Sequence, residues 1–483
     1  MKYTKQTLFL VLFAYLVITS VLYINLPMAE DESNIYFVSQ KWNDGHVPFK
    51  EYFGDSKAPG MYYYISAFIK ITDNIQVLRF SIFVANLLSA VFVYLICMKL
   101  FDGEPARVSR KSITAAAIFL AVNIFPGMNG YFFINDRFLV LFSLISIYFF
   151  LKSENSRYYI LASGITAGIA TVFKQLGVTL PLLFILFYLC LYLRKKKKFK
   201  SAFSDSAILI AGFVVPLLLV ALHFFVLGGL NEMIYWTSSG VSHEFNARSY
   251  ILHPEEIIAL GHLYQFSVMA PIWIPSLIIS LLFVIKLFRR KISDKELFLL
   301  LWLVSNLHVL LLLLDFQASQ YAVLSVMAAV FFIDFRKPST NGKKILVYAA
   351  LAFIILLSLS LNIYSEYNLQ TTRHAFYNQE IDAANYVKER TIQGEPIYVF
   401  GYRPSIYILS QRDPPATVPV MANFNIQIKG KYENETISAL QNIRYIVHET
   451  MTPPGEAPAI YKFIQENYNI ETTIGRFIIY IKK

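Results

Sequence analysis

Charged side chains are scarce in this chain. They make up 16% of its 483 residues, whereas a soluble protein has roughly a quarter. Apolar residues make up 56% of the sequence, and many stretches of about 20 residues are almost purely apolar. A helix of that length crosses a bilayer core of roughly 30 Å. The composition therefore argues against an ordinary soluble protein and predicts a multi-pass membrane protein.

Cysteine and nucleotide-binding motifs are also scarce. Only Cys97 and Cys190 are present, both in apolar segments near basic ends, so no disulfide framework is indicated. The first apolar segment, Leu8 to Leu26, has no small-residue cleavage site before the acids that follow it, which favours a retained membrane helix. The C-terminal region has neither a G-x-G-x-x-G nor a Walker A pattern, so no nucleotide is assigned to it.

The net charge of +11 follows the predicted membrane topology. The apolar runs predict about 11 spans. With the N-terminus in the cytoplasm, the basic clusters at 99–111, 194–200, 289–291 and 336–344 all fall on the cytoplasmic side. The loops 123–130 and 315–320 fall outside and contain no Lys or Arg. The basic residues are therefore interpreted as orientation signals, and no nucleic-acid partner is expected.

An acidic stretch follows the first apolar segment. Glu30, Asp31 and Glu32 stand at the end of a predicted membrane helix, an unusual position because carboxylates resist leaving water. Further acids, Lys57 and a Pro-Gly turn come before residue 60. This pattern predicts an external loop over 27–76 that forms a pocket on the membrane surface. Within it, a short surface helix is expected over 33–43, capped by Ser33.

Polar residues gather on the predicted outer face. A carboxylate there can act as general base on an acceptor hydroxyl, and a lysine or arginine can hold a phosphate group. Inverting sugar transfer needs that combination, and its donor must be lipid-linked because nucleotide sugars are cytoplasmic. The outer polar residues are Asp31, Glu32, Asn135, Asp136, Lys174, Gln175, His243, Glu244, Arg248, His253, Gln317, Gln320 and Tyr321.

Several motifs resemble the type C glycosyltransferases, in the branch related to protein O-mannosyltransferases and the lipid A aminoarabinose transferase. The first external loop carries much of the likeness, and further motifs follow along most of the chain. In chain order, the motifs are Asp31-Glu32, Gly45, Val47-Pro48, Phe53, Asp55, Lys57, Pro59-Gly60, Asn135-Asp136-Arg137-Phe138, Gly164 to Lys174, Ile397 to Gly401, Arg403-Pro404, Ile406-Tyr407 and Ser410 to Arg412.

The resemblance implies a fold and a donor. The expected fold is a polytopic α-helical membrane protein with a glycosyltransferase domain over 1–368 and a small extracytoplasmic α/β domain over 369–483. The implied donor is a polyprenyl-phosphate sugar, and the implied enzyme is a mannosyltransferase-like hexosyl- or pentosyltransferase of the cell envelope. The acceptor is a lipid, a glycan or a protein.

The family's catalytic base candidate, the first external acid, falls on Asp31. The catalytic group is expected to include Glu32 and Asp136 as well. Donor binding is assigned to Lys174, Arg248, Lys57, Gln320 and Tyr321. No close ligand spacing fixes a metal, although a divalent metal is possible.

Other interpretations stay open at the sequence level. Asp136 can be an interfacial acid paired with Arg137, and Lys174 can extend toward lipid headgroups. Two different classes of protein also fit the composition. One is a transporter or flippase for a lipid-linked glycan, which predicts charged residues in mid-span. The other is a non-catalytic envelope assembly protein with a degenerate site.

Overall fold

The computed structural model describes residues 2–51, 57–124, 132–238, 260–313, 318–334, 342–415, 433–452 and 457–483. The chain forms two compact units, each described by itself below. The first unit contains Met1–Ile24, Arg79–Leu219 and Phe245–Leu369. The second unit contains Asn25–Leu78, Val220–Glu244 and Gln370–Lys483. The predicted acidic loop and the predicted C-terminal α/β region therefore fall in the same unit.

Helices dominate the described chain. Two short 3-10 helices, Ser153–Asn155 and Gln175–Val178, lie directly before and after the α-helix Arg157–Phe173. The α-helices are α1 Lys2–Tyr23, α2 Glu30–Asn43, α3 Gly60–Ile69, α4 Ile75–Leu100, α5 Pro105–Ile124, α6 Asn135–Lys152, α7 Arg157–Phe173, α8 Thr179–Leu193, α9 Phe199–Val226, α10 Leu260–Phe288, α11 Asp294–Leu313, α12 Ala318–Asp334, α13 Gly342–Arg390, α14 Ser405–Ser410, α15 Glu433–Leu440 and α16 Pro458–Asn467.

Within the described residues, five helical segments are long and apolar enough to cross a membrane. The chain is accordingly a membrane protein. These segments show much apolar surface, as expected of helices that face lipid rather than water. The predicted total of about 11 spans, and the side on which each loop lies, stay predictions. The five segments are Gln6–Tyr23, Ile75–Leu100, Gln175–Leu193, Phe199–Val226 and Ala270–Phe288.

In the first unit, α7 packs closely on its neighbours through small residues. Ser146 of α6 and Ser163 of α7 each donate a hydrogen bond to the other's carbonyl oxygen, at 2.8 and 2.9 Å. A Cβ added at Gly164 would lie 2.2 Å from the Leu209 carbonyl oxygen of α9, and one at Gly168 would lie 2.3 Å from that of Phe213. The G-x-x-x-G spacing thus lets two helix backbones approach closely, as small residues do between membrane helices.

The second unit contains a four-stranded mixed sheet. Its strands are β1 Tyr398–Phe400, β2 Tyr445–Glu449, β3 Tyr468–Ile474 and β4 Phe477–Lys482, in the order β1-β2-β4-β3. β1 and β2 are parallel, while β4 runs antiparallel to both β2 and β3. Tyr398, Phe400 and Ile446 pack with Ile460 and Ile464 of α16 in a buried core.

Helix α2 packs on α14 of the same unit. The Phe37 and Tyr407 rings lie 5.5 Å apart, and Lys41 forms an ion pair with Asp413 at 2.7 Å. The expectation of a helix that starts at Ser33 is wrong at its N-terminus, because α2 begins at Glu30. Asp31 and Glu32 therefore belong to the first helical turn, and their side chains are held by a regular backbone.

Candidate active site

Asp31 lies one residue after the start of α2 and pairs with a lysine. Lys57 Nζ donates to Asp31 Oδ1 at 2.5 Å, across 26 residues of sequence. The Asp31 side chain keeps 49% of its surface exposed, while that of Lys57 keeps 22%. The positive end of the α2 dipole and the ammonium group both favour negative charge on Asp31. The pair therefore offers an accessible carboxylate and a cation at one point.

Glu32, the residue after Asp31, stabilises the start of α2. Its side chain is fully buried, and its Oε2 accepts a hydrogen bond at 3.0 Å from the backbone N–H of Ala29, the residue before α2. A glutamate that reaches back in this way satisfies a backbone donor at the helix start. This bond explains why α2 starts three residues earlier than Ser33. The supporting catalytic role of Glu32 stays a prediction.

Lys57 is placed by the helix that follows it. Pro59 precedes α3, and α3 is tied to α2 by two hydrogen bonds between Asn43 and Ser66. The Asn43 amide donates to the Ser66 carbonyl oxygen at 2.9 Å, and the Ser66 hydroxyl donates to Asn43 Oδ1 at 2.6 Å. These two bonds hold α3 against α2. Because Lys57 lies just before α3 and Asp31 lies in α2, they also help to position Lys57 relative to Asp31.

A charge cluster joins the start of α2 to the sheet. Arg403 Nη1 lies 2.9 Å from Glu30 Oε1 and 3.4 Å from Glu380 Oε1, and its Nε donates to Glu449 Oε1 at 2.7 Å. Arg476 Nη1 lies 3.5 Å from the same Glu449 oxygen. Glu380 and Glu449 are buried, whereas Glu30 is half-exposed. One arginine thus connects α2, α13 and β2.

Burial is the largest influence on the pKa values of Glu30 and Glu380 in this cluster. It raises the pKa of Glu380 above its ordinary value, although Arg403 and the Ser405 hydroxyl oppose the rise. It also raises the pKa of Glu30, again against the Arg403 guanidinium. The three carboxylates together raise the pKa of Arg403 despite its own burial. The cluster therefore depends on a permanently charged arginine to hold its acids ionised.

The second acidic motif forms its own pair in the first unit. Lys174 Nζ donates to Asp136 Oδ1 at 2.9 Å, and both side chains are mostly buried. Asn135 Nδ2 donates to the Phe173 carbonyl oxygen at 2.6 Å, which joins the start of α6 to the end of α7. The buried Arg137 instead donates to Asn123 Oδ1 at 2.5 Å. Asp136 is therefore the partner of Lys174, and the alternatives of an Arg137 pair or a lipid-facing lysine are not supported.

Four of the predicted site residues form two ion pairs, one in each unit. Asp31 and Lys57 belong to the second unit, and Asp136 and Lys174 belong to the first. Arg248 lies outside the described residues, as do the side chains of Gln320 and Tyr321, whose backbone forms the start of α12.

No metal site is assigned from these residues. Across the described chain, no three His, Cys, Asp or Glu side chains are placed so that they could hold a metal ion. The possible divalent metal stays a prediction.

Sequence reasoning missed the Arg403 cluster. The motif Arg403-Pro404 was part of the family resemblance, but its partners Glu30, Glu380 and Glu449 are far from it in sequence. The signal available was local: Glu449 ends an apolar stretch typical of a buried strand, and a carboxylate there needs a cation. Which cation supplies the charge depends on the tertiary fold.

Comparison with solved structures identifies the fold. The Archaeoglobus fulgidus oligosaccharyltransferase in its apo form superposes with a TM-score of 0.60 at 14% identity, over 99% of this chain and 74% of that one. Apo ArnT from Cupriavidus metallidurans superposes with a TM-score of 0.63 at 13% identity, over 98% of this chain and 97% of that one. The chain has the type C glycosyltransferase fold. The resemblance stated from the sequence motifs is confirmed.

Sequence comparison agrees with that fold. The family model described as dolichyl-phosphate-mannose-protein mannosyltransferase matches residues 56–224 of this chain. No curated protein matches the sequence. Two other similar structures carry lipid phosphates: archaeal AglB in complex with an inhibitory peptide and a dolichol-phosphate, and ArnT bound to undecaprenyl phosphate. The AglB complex superposes with a TM-score of 0.56 at 15% identity, over 100% of this chain and 75% of that one. The ArnT complex superposes with a TM-score of 0.58 at 12% identity, over 98% of this chain and 97% of that one.

Proposed function

We propose that this protein is a membrane glycosyltransferase that moves a sugar from a polyprenyl-phosphate donor to an extracytoplasmic acceptor, with inversion at the anomeric carbon. The observation that carries the proposal is the Asp31–Lys57 pair at the start of α2. In this pair, a carboxylate that can accept a proton lies beside a cation that can bind a phosphate. The fold supports the reaction class, and the lipid phosphates bound by AglB and ArnT support the donor class.

The proposed reaction is a single displacement. Asp31 accepts the proton of an acceptor hydroxyl, and the hydroxyl oxygen forms a bond to the anomeric carbon of the donor sugar. The bond from that carbon to the phosphate oxygen breaks on the opposite face. The electron pair leaves with the polyprenyl phosphate, and the added negative charge is neutralised by Lys57. No other co-reactant is needed.

The ion pair also implies an order of events. A carboxylate held by an ammonium group at 2.5 Å is a weak base, because proton uptake would cost that interaction. The phosphodiester of the donor carries one negative charge, as the carboxylate does, and competes with it for Lys57 Nζ. When the phosphate takes over Lys57, Asp31 becomes the stronger base. Donor binding would thus activate Asp31 before the acceptor reacts.

Contacts in the first unit support the proposed sidedness. The loops around 102, 194–196 and 294–295 are joined by ion pairs, Arg194 to Asp294 at 2.8 Å and Lys295 to Asp102 at 2.6 Å. The positive-inside rule assigns all three loops to the cytoplasm. The charges of the orienting loops thus meet at one end of this unit, as the topology with a cytoplasmic N-terminus requires.

The remaining assignments complete the proposal. Asp136 would shape the site and Lys174 would bind the donor phosphate, as would Arg248. Gln320 and Tyr321 would contact the donor headgroup, and Glu32 would support Asp31. The transmembrane domain would cover 1–368 with about 11 spans, and the extracytoplasmic α/β domain would cover 369–483. The sugar, and the choice among lipid, glycan and protein as acceptor, are open parts of the proposal.

The test is sugar transfer by the purified protein in membranes, from a panel of radiolabelled polyprenyl-phosphate sugars. The wild type should transfer one of them, and Asp31→Asn should abolish transfer at normal membrane abundance. Asp44→Asn is the matched control. It removes one carboxylate just after the same helix, where Lys41 keeps Asp413 as a second partner.

Each contrary outcome has a definite meaning. Retained transfer by Asp31→Asn would refute the role of Asp31 as base. Movement of labelled lipid across the bilayer without transfer would favour a flippase. Absence of both activities over a panel of lipid, glycan and protein acceptors would favour the assembly-protein alternative.

A further inference from the structure

A cavity of about 620 Å³ lies in the first unit. It is formed by the end of α4, the start of α5, the second half of α10, the start of α11 and one residue of α12. Two of these helices, α4 and α10, are candidate membrane spans. The cavity is thus placed where membrane helices end and polar loops begin.

The cavity has two chemically different parts. Its apolar wall is formed largely by Leu100, Phe101, Ile279, Leu282, Phe283 and Val330. Its polar part contains five cationic and two acidic side chains, a net charge of +3. These are Lys111, Lys286, Arg289, Lys291, Lys295, Asp102 and Glu296. A ligand that fits both parts carries an apolar chain and an anionic group.

For part of this positive charge, the residues that the structure describes provide no carboxylate within ion-pair distance. Lys286 pairs with Glu296, and Lys295 pairs with Asp102 at 2.6 Å. Arg289 and Lys291 form no ion pair with any residue that the structure describes. Both side chains are exposed and line the cavity directly after the apolar face of α10. They are available to an anion from outside the protein.

Lys111 makes the cavity more than a surface patch. It is only 7% exposed, and its ammonium nitrogen lies 4.9 Å from the centre of the Phe101 ring, which also lines the cavity. An anionic headgroup in the cavity would lie close to this cation and next to an apolar wall.

The cavity is distinct from the Asp136–Lys174 pair of the same unit. Lys111 is near the start of α5, and Asn123, which holds Arg137 beside Asp136, is near its end. Asn123 follows Lys111 by twelve positions in this helix, a rise of about 18 Å. The cavity therefore lies toward the opposite end of α5, among the loops that the proposed topology assigns to the cytoplasm.

We propose that this cavity binds an anionic phospholipid of the cytoplasmic leaflet, with its phosphodiester headgroup held by Arg289, Lys291 and Lys111 and its acyl chains against α4 and α10. Basic pockets between membrane helices on the cytoplasmic side bind such headgroups. The apolar wall favours a lipid over free phosphate, because a small anion would leave that wall in contact with water. The proposal does not depend on the transfer reaction.

The test is lipid retention by the full-length protein in detergent, measured by native mass spectrometry. Phosphatidylglycerol is compared with phosphatidylcholine of the same acyl chains. The wild type should retain the anionic lipid preferentially, and Arg289→Gln/Lys291→Gln should bind it about tenfold more weakly. The control, Lys198→Gln/Lys200→Gln, removes the same charge from exposed positions at the start of α9, outside the cavity.

Three results would overturn the proposal. Equal weakening in the control pair would mean that any basic loop binds these lipids. Equal retention of the two lipids by the wild type would mean that the cavity does not select an anion. Displacement of phosphatidylglycerol by millimolar inorganic phosphate would mean that the site takes a free anion. Resistance to inorganic phosphate supports the lipid assignment.

Discussion

At the scale of single residues, Lys57 has to serve two partners in turn. It neutralises Asp31 at 2.5 Å in the structure, and the proposed reaction requires it to hold a phosphate instead. A mutation at Lys57 should therefore affect donor use more than it affects folding, because the lysine lies at a loop end. Comparing the effect of the mutation on donor use with its effect on folding distinguishes a donor-binding lysine from a lysine that only stabilises the loop.

We expect Lys57→Gln to reduce kcat/KM for the polyprenyl-phosphate sugar by roughly 100-fold, the scale of losing one charge-stabilising donor. Lys57→Arg should recover part of the rate, because the cation returns with altered geometry. Steady-state kinetics with varied donor would measure both. Lys50→Gln is the control, since it removes a cation from the same loop. An unchanged kcat/KM in Lys57→Gln would exclude Lys57 from donor binding.

Arg403 offers a second prediction at this scale. Arg403→Gln leaves Glu380 and Glu449 buried with less compensating charge, which should destabilise the protein at pH 7 by about 3 kcal/mol. The thermal unfolding midpoint in detergent would measure the loss. Arg390→Gln is the control, because Arg390 has a more exposed side chain and pairs with the exposed Glu389.

The pH dependence of this loss has a definite sign. The folded-state pKa values of Glu30 and Glu380 are raised, so the folded protein binds more protons than the unfolded chain just above their ordinary pKa of 4.5. Their contribution to stability is present below that pH and is lost as pH rises through the folded values. Arg403 lowers the pKa of both glutamates, so without it both folded-state pKa values would rise further. The difference in unfolding midpoint between wild type and Arg403→Gln should therefore be smaller at pH 5 than at pH 7. An equal difference at the two pH values would contradict this account.

At the scale of elements, apolar length predicts helices well but does not fix where a polar helix begins. The sequence Glu30-Asp31-Glu32-Ser33 contains two possible starts for α2. Ser33 is a favoured N-cap residue, yet the carboxylate of Glu32 satisfies the Ala29 N–H and moves the start to Glu30. The strand β3 was not predicted for a related reason. Only its first residue, Tyr468, is buried, so its place in the sheet comes from pairing with β4.

The close approach of α7 and α9 gives a prediction for an element. Gly164→Val would put a side chain where even a Cβ would lie 2.2 Å from the Leu209 carbonyl oxygen. The two helices would have to separate, so folded protein recovered from membranes should fall sharply and its unfolding midpoint should drop. Ala162→Val adds similar bulk at a half-buried site of the same helix and should cost less. Comparable losses in the two variants would mean that α7 tolerates no added volume anywhere, and the glycine argument would fail.

At the scale of the whole molecule, hydropathy and loop charge predicted the class of protein, and three-dimensional contacts supplied what they could not. The motifs around Asp31 and Asp136 indicated acids in the right order along the chain. They did not reveal that Asp31 pairs with Lys57 or that Asp136 pairs with Lys174, because each pair joins residues 26 or more positions apart. Ion pairs between distant residues follow from tertiary packing and leave little trace in local sequence.

Sidedness is the molecular property on which both proposals depend, and it can be measured directly. Cys97→Ala/Cys190→Ala provides a cysteine-free background, because the sequence holds no other cysteine. In that background, single cysteines at Asp44 and Glu471 should react with a membrane-impermeant maleimide in intact cells. Single cysteines at Glu104 and Lys198 should react only after permeabilisation. All four positions are exposed in the structure, so burial cannot account for a difference between them.

The four labels separate the two proposals. If Asp44 and Glu471 are labelled only after permeabilisation, the acidic loop faces nucleotide sugars instead of lipid-linked donors, and the transferase reaction needs a different donor. If Glu104 is labelled in intact cells, the cavity beside α5 faces the outer leaflet and the lipid assignment fails, whatever happens at Asp44. The expected pattern requires the carboxylate of Asp31 and the cations around Lys111 to work at opposite faces of one membrane.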